Sequence, residues 1–353
     1  MKIITIVGAR PQFIKAAPVS RVLRKEHEEI LIHTGQHYDK NMSDIFFNEL
    51  KIPKPDYNLE IGSGSHGAMT GRMIEKLEEI YLNEKPDLVL VYGDTNSTIA
   101  GALAASKLLI PVVHVEAGLR SFNKAMPEEQ NRILTDHVSR LLLVPTEDAV
   151  KNLKNEGITK GVHNVGDVMY DAVLMFKEIA KSKEELLSKL GVNKGQYILT
   201  TIHRAENTND IERLKRMIEA LNECGERIIL PLHPRTKKFI TDYGLHFNDN
   251  ITVIDPIGYL EMLMLEENSK MIVTDSGGVQ KEAYFMGKPC ITMRDETEWV
   301  ETVQIGWNVV VGTDKEKILY NIKNFKPTTR QELIFGDGKA SEKILKIING
   351  ELK

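Results

Sequence analysis

"DLVLVYGDTNSTIAGALAASKLLIPVVHVE", residues 87 to 116, decides the fold of this chain. An apolar run ends at Gly93, a segment with helical spacing follows from 96 to 109, and a second β-branched run closes the stretch at Glu116. Strand, helix and strand joined by short turns form a βαβ crossover, and crossovers of that kind build parallel sheets.

The same rhythm extends in both directions. "KIITIV", "EILIHT" and "RLLLVPT" supply further strands, and 68–84 supplies another helical segment. After "GVHNVGD" a long helical stretch runs from about 169 to 190, and the rhythm restarts with "YILTTIH", "RIILPLH", "ITVID", "KMIVTDS", "KPCITM" and "WNVVVG". A chain of 353 residues exceeds one small core and fits two domains. The expected architecture is α/β, with two Rossmann-like doubly wound domains facing a cleft. Residues 1–168 form the first, 169–336 the second, and a terminal helix at about 337–353 packs back on the first. No internal repeat or low-complexity segment interrupts the pattern.

Composition narrows the function. A formal net charge of −4 argues against a dedicated nucleic-acid surface. The N-terminal apolar run is too short for a signal-peptide core and no later run approaches a membrane span, so a cytoplasmic protein with small-molecule partners is expected. Cys224 and Cys290 lie far apart without CxxC or neighbouring His spacing, so neither a disulfide framework nor a metal site is expected. "GSGSHG", residues 62–67, matches GxGxxG, but it follows a poor strand, and the acid found about 20 residues on, Asp87, begins a strand instead of ending one. No dinucleotide cofactor is expected.

In doubly wound domains ligands sit beyond the carboxyl ends of strands. Gly8, Arg10 and Lys15 follow the first strand, and Pro11 suits a helix start whose free N–H groups attract anions. Asp94 ends the "VYGDTNST" strand, where a helix cap would equally account for it. Glu116 follows Val112, Val113 and Val115, and Pro127 opens a helix carrying Glu128 and Glu129, acids that the helix dipole favours there in any case. Together Asp94, Glu116 and Glu128 weigh more than singly, because converging carboxylates repel and raise one another's pKa toward acid/base use; paired carboxylates also suit glycosidases. In the second half His203–Arg204 and His233–Arg235 suggest an anion site. Ser276, Gly277 and Gly278 place a close backbone approach at a helix start, with Glu282 on that helix.

In order, "VGARPQFIK", "GQH", "VYGDTNST", "HVEAGLRS", "PEEQNR", "TIHRAEN", "TDSGGVQKEA" and "MRDETEW" resemble the motif series of the non-hydrolysing UDP-N-acetylglucosamine 2-epimerases over nearly the whole chain. The resemblance implies a glycosyltransferase-B type fold, a homodimer, and interconversion of UDP-N-acetylglucosamine with UDP-N-acetylmannosamine by elimination and re-addition of UDP, without a cofactor. That product would serve surface polysaccharide or glycan synthesis. It assigns Asp94, Glu116 and Glu128 to proton transfer and His203 to the departing diphosphate, with Arg10 and the helix start Ser276–Gly278. Glu282 resembles the ribose ligand and Lys15 a substrate-site residue. A second, regulatory UDP-N-acetylglucosamine would use Gln36, His37, Arg204 and His233. Asp39, Ala205 and Trp299 depart from the family pattern, at positions bearing on the regulatory site, the phosphate contacts and sugar preference. A transferase of the same fold, a hydrolysing epimerase, an epimerase of a UDP-linked 2,3-diacetamido uronic acid and a non-catalytic UDP-sugar sensor are the competing readings.

Overall fold

The computed structural model describes residues 1–36 and 47–352. The chain forms two compact units, Met1–Met175 with Leu333–Lys353, and Phe176–Glu332. Each is built on one parallel sheet.

The strands of the first unit are β1 (Lys2–Val7), β2 (Glu28–His33), β3 (Tyr57–Asn58), β4 (Leu88–Tyr92), β5 (Val112–Val115), β6 (Leu141–Val144) and β7 (Val162–Asn164). They lie in the order β3-β2-β1-β4-β5-β6-β7, with Ile3 beside Leu88 and Val89 beside Val112. Helices cover both faces of such a sheet, so its central strands are buried throughout and read as continuous apolar runs. The helix Asn96–Lys107 contributes Ala100, Ala102, Ala104 and Ala105 to the core. A Cβ added at Gly101 would stand 3.0 Å from Ile6 and 3.2 Å from Val91, so glycine permits the close approach of this helix to β1 and β4.

In the second unit the strands are β8 (Ile198–Thr201), β9 (Ile228–Pro231), β10 (Ile251–Ile254), β11 (Met271–Thr274), β12 (Cys290–Thr292) and β13 (Asn308–Val310). Their order is β10-β9-β8-β11-β12-β13. Leu214, Met217, Ile218 and Leu221 from one helix and Ile318 and Ile322 from another close its core over Ile198, Ile228 and Val273. The strand order reverses between β1 and β4 in one unit and between β8 and β11 in the other. These are the topological switch points at which such sheets open a crevice beyond the strand ends.

Two local features differ from the sequence reading. β3 and β7 escape it because each is a two- or three-residue, partly exposed edge strand without an apolar run. The stretch from 169 to 190 is not one helix. It divides into Val168–Ala180, a 3₁₀ turn Lys181–Lys183 and a short helix Glu185–Lys189, and the Ser182 hydroxyl bonds the Ile179 carbonyl at the break. Among the described residues no helix is long and apolar enough to cross a membrane, and no group of three or more His, Cys, Asp or Glu could hold a metal ion.

The last helix, Ala340–Glu351, packs on the helix Arg10–Leu23 through a face that includes the buried Ile344 and Ile348. Its start is capped by a distant carboxylate. Asp171, on the helix Val168–Ala180, accepts from the Ala340 amide at 3.0 Å and from the Ser341 amide and hydroxyl, each at 2.7 Å. Burial raises the Asp171 pKa, and those same hydrogen bonds oppose the rise. Asp171→Ala leaves three donors without their acceptor, a loss of ~1–3 kcal/mol. Hydrogen exchange of the amides of residues 340–348 is therefore expected to accelerate ~10-fold or more, with β1 and β4 unaffected.

Candidate active site

At the switch point of the first unit the turn after β1 is laced to the end of β4 by Gln12. This side chain is 2% exposed. Its Oε1 accepts from the amides of Gly8 (2.8 Å) and Ala9 (3.1 Å), while its Nε2 donates to the Tyr92 carbonyl (2.7 Å) and the Thr98 hydroxyl (2.9 Å). A Cβ at Gly8 would collide with the hydroxyls of Ser97 and Thr34. Sequence reasoning passed over Gln12; its position one turn into a helix that follows a strand end was the available signal.

Glu116 and Asp94 come to this turn from neighbouring strands. Glu116 follows β5 with a left-handed φ of +69°, an unusual conformation for a residue with a Cβ. Its amide is held by the Leu143 carbonyl at 3.0 Å. Its carboxylate forms an ion pair with Lys15, and a Cβ at Gly93 would lie 3.4 Å from that carboxylate. Asp94 is paired with Arg132, and Asn131 donates to its carbonyl at 2.9 Å. Burial alone would disfavour the Arg132 charge, but Asp94, then Glu129 and Glu116, raise its pKa above the ordinary value.

The two glutamates at the start of the helix Pro127–Val138 have different employment. Glu129 is buried, accepts from the amides of Ser121 and Phe122 at 2.9 Å each, and meets Arg132 at 2.8 Å. Burial pushes its pKa up, yet the bonds from Ser121 and Phe122 and the charge of Arg132 outweigh that and hold it below the usual carboxylate range. Glu128, exposed and one residue earlier, makes no side-chain hydrogen bond or ion pair among the described residues. Gln36 accepts from the Ser97 amide (3.1 Å) and hydroxyl (2.7 Å). His37 and Asp39 lie outside the described residues, and Arg10 stands half-buried at the first helix start.

The switch point of the second unit is organised by Asp275, fully buried directly after β11. Its carboxylate accepts from the amides of His203 (3.1 Å) and Arg204 (3.0 Å) and from Asn207 (3.1 Å). Packing around the His203 ring lowers its pKa; Arg204 and His233 add to that effect and Asp275, 3.6 Å from Nδ1, opposes it. His233 caps the next helix by accepting from the Arg235 amide at 3.2 Å, while Arg235 turns to Asn209 at 2.7 Å. Ser276 caps the helix Gly277–Phe285. A Cβ at Gly277 would collide with the Glu298 carboxylate, which lies 2.7 Å from Arg294 and 3.7 Å from Arg204, whereas a Cβ at Gly278 would meet the Ser276 hydroxyl at an unstrained 3.9 Å. Trp299 fills the flank of this helix start, its Nε1 donating to the Gly277 carbonyl at 2.8 Å and its ring 4.1 Å beneath the Lys281 ammonium. Ala205 begins the short helix Ala205–Thr208 after β8. Glu282 is buried beside Glu266, whose pKa burial and that neighbour push well above the ordinary value. The sequence reading assigns Asp275 no role, although an acid placed directly after a buried strand signals one.

Residues 21–349 match the family described as UDP-N-acetylglucosamine 2-epimerase. A Methanococcus maripaludis protein named UDP-N-acetylglucosamine 2-epimerase homolog is 60% identical over 99% of both chains. The UDP-2,3-diacetamido-2,3-dideoxy-D-glucuronate 2-epimerase of Pseudomonas aeruginosa is 54% identical over 98% of both. The solved structure of the Methanocaldococcus jannaschii UDP-GlcNAc 2-epimerase in complex with UDP-GlcNAc and UDP is similar with a TM-score of 0.87 and 47% identity, over 99% of both chains. Two parallel doubly wound sheets agree with that match, and the chain belongs to the UDP-N-acetylglucosamine 2-epimerase family of isomerases.

Proposed function

We propose that this protein epimerises C2 of UDP-N-acetylglucosamine to give UDP-N-acetylmannosamine, by elimination and re-addition of UDP. The observation that carries the reading is the arrangement of acids in the first unit. Asp94 is paired with Arg132, Glu116 with Lys15, and Glu128 is left exposed at the helix start. C2 of the sugar has no adjacent carbonyl, so simple proton removal and return would face a weakly acidic C–H bond. Elimination avoids that difficulty. A carboxylate takes the C2 proton, the C–H electron pair becomes the C1–C2 double bond, and the C1–O pair leaves with UDP. UDP then adds back to C1 of the 2-acetamidoglucal while a proton reaches the other face of C2. Two faces require at least two acid/base groups, and the resemblance assigns Asp94, Glu116 and Glu128 to them.

The leaving diphosphate gains negative charge as the C1–O bond breaks, and donors already oriented stabilise that charge without reorganising. His203, Arg10 and the helix start Ser276–Gly278 take this role in our reading, with Glu282 on the ribose and Lys15 on the substrate. Positive partial charge at a helix N-terminus and the unstrained space beside Gly278 support it. Gln36, His37, Arg204 and His233 are assigned to a second nucleotide sugar that regulates the enzyme. We further propose a cytoplasmic homodimer whose product feeds surface glycan synthesis.

The 54% identical Pseudomonas aeruginosa relative favours a second reading, in which the sugar is a UDP-linked 2,3-diacetamido uronic acid. The chemistry at C2 is the same, so only a comparison of kcat/KM for the two substrates separates them.

In heavy water without added cofactor, UDP-N-acetylglucosamine is expected to yield UDP-N-acetylmannosamine carrying deuterium at C2, followed by proton NMR. Asp94→Asn, Glu116→Gln and Glu128→Gln should each lower the exchange rate by ~10²–10⁴. A substrate that keeps its C2 proton overturns this choice of sugar.

Glu128→Gln and Glu129→Gln should separate in opposite senses. The first lowers turnover with the unfolding midpoint unchanged. The second destabilises the first unit by ~1–3 kcal/mol at neutral pH, because two amides and Arg132 lose a carboxylate. The Glu129 carboxylate is held below the ordinary ~4.3, so its contribution is complete above that pH and disappears as pH falls through the folded value. Denaturant melts of wild type and E129Q are therefore expected to differ at pH 7 and to converge in strong acid.

Gly277→Ala should weaken UDP binding at least ~10-fold, since Glu298 has to move from its place beside Arg294 and Arg204. Calorimetric titration with UDP checks it.

A further inference from the structure

In the first unit a histidine sits where the sheet calls for another valine. His114 lies in the middle of β5, between Val91 of β4 and Leu142 of β6, with no exposed surface. An imidazole in such a place costs stability unless both ring nitrogens are satisfied. Both are: Nδ1 lies 2.7 Å from Oδ1 of Asp136 and Nε2 lies 2.7 Å from the carbonyl of Gly93.

The partners decide the hydrogens. A carbonyl only accepts. Asp136 is placed as an acceptor as well, because a guanidinium and a backbone amide both meet its other oxygen and favour the ionised carboxylate. Its second oxygen accepts from the Gly118 amide at 3.1 Å and lies 2.7 Å from Arg120 Nη1. Arg120 is in turn paired with Glu156 at 2.7 Å, and His137 stands 3.7 Å from that glutamate. With an acceptor on each side, the ring donates in both directions.

What these bonds hold is the set of acids. Gly93 carries the next residue, Asp94. Glu116 lies between His114 and Gly118 in sequence, pinned by the ring on one side and by the Asp136 bond to the Gly118 amide on the other. Asp136 belongs to the helix Pro127–Val138, whose first turn carries Glu128 and whose Arg132 binds Asp94. We propose that His114 is a positioning residue of the reaction: donating at once to Asp136 and to the Gly93 carbonyl, it fixes the turns of Asp94 and Glu116 against the helix that bears Glu128. The inference rests on the assignment of those three acids to proton transfer.

The test uses the full-length protein and two readouts. In protein labelled with ¹⁵N-histidine, two slowly exchanging ring N–H signals belonging to one residue are expected at the pH of the assay, and both vanish in His114→Gln. Asp136→Asn, which relieves the ring of its carboxylate, should leave His114 with one N–H. In the C2 exchange assay, both variants should lose ~10²-fold in kcat, the scale of an ångström's misplacement, while KM stays within about threefold. Should His114→Gln fail to fold, Asp136→Asn carries both readouts.

A residue that only stabilised the fold would lower the unfolding midpoint and leave kcat of the folded enzyme at the wild-type value, and that result overturns the role. So does a single ring N–H in the wild type. A wild type that is inert toward UDP-N-acetylglucosamine and toward the diacetamido uronic acid sugar overturns the functional reading instead, a failure distinguishable because the ring N–H count requires no turnover.

Discussion

Like charges brought together at one sheet edge have to be balanced by cations from the same fold. In the first unit Asp94, Glu116 and Glu129 converge from β4, β5 and the helix Pro127–Val138, and Lys15 and Arg132 arrive from two helices to meet them. Arg132 is held between Asp94 and Glu129, and Lys15 is the partner of Glu116. Removing one member of a partly buried pair leaves the other charge without its partner, so acids and bases at these strand ends are interdependent. Much else about the unit serves the same arrangement: Gln12 fastens the first turn to β4, and glycine at position 101 lets the intervening helix lie close over β1 and β4.

The strand-helix alternation of the fold was legible because the buried strands of a parallel sheet read as continuous apolar runs. β1, β4, β5, β6, β8 and β11 all announce themselves in that way. β3 and β7 do not, since an edge strand with one neighbour and one solvated side needs no such run. The broken stretch after Val168 was illegible for a different reason. Helical spacing persists through Lys181–Lys183, and only the side-chain bond from Ser182 back to the Ile179 carbonyl marks where the helix ends.

The site was legible where residue type and position coincide. Asp94, Glu116, His203 and Ser276 each lie within two residues of the end of a buried strand, the place where doubly wound sheets open a crevice. Glu128 and Glu129 are adjacent acids at one helix start, and sequence could not divide their work; the amides of Ser121 and Phe122 claim Glu129 and leave Glu128 exposed. Gln12, His114, Asp136 and Asp275 were passed over because they hold backbone groups instead of facing outward. Their contribution depends on which carbonyl or amide comes within 3 Å, and that information belongs to the fold.

Trp299 shows how a departure from a family pattern can be absorbed. An indole cannot supply a cation. Here it donates Nε1 to the Gly277 carbonyl and offers its ring to the Lys281 ammonium, so a cation lies against its π face behind the helix start. Arg294 and Arg204 remain near Gly277 through Glu298, which keeps positive charge within reach of the helix start. The glycine at 277 is then a consequence of this packing as much as of ligand approach, because Glu298 occupies the space a Cβ would need. The helix start after β11 therefore combines the positive end of the helix dipole with two arginines ordered by one glutamate, so no single cation sets its charge.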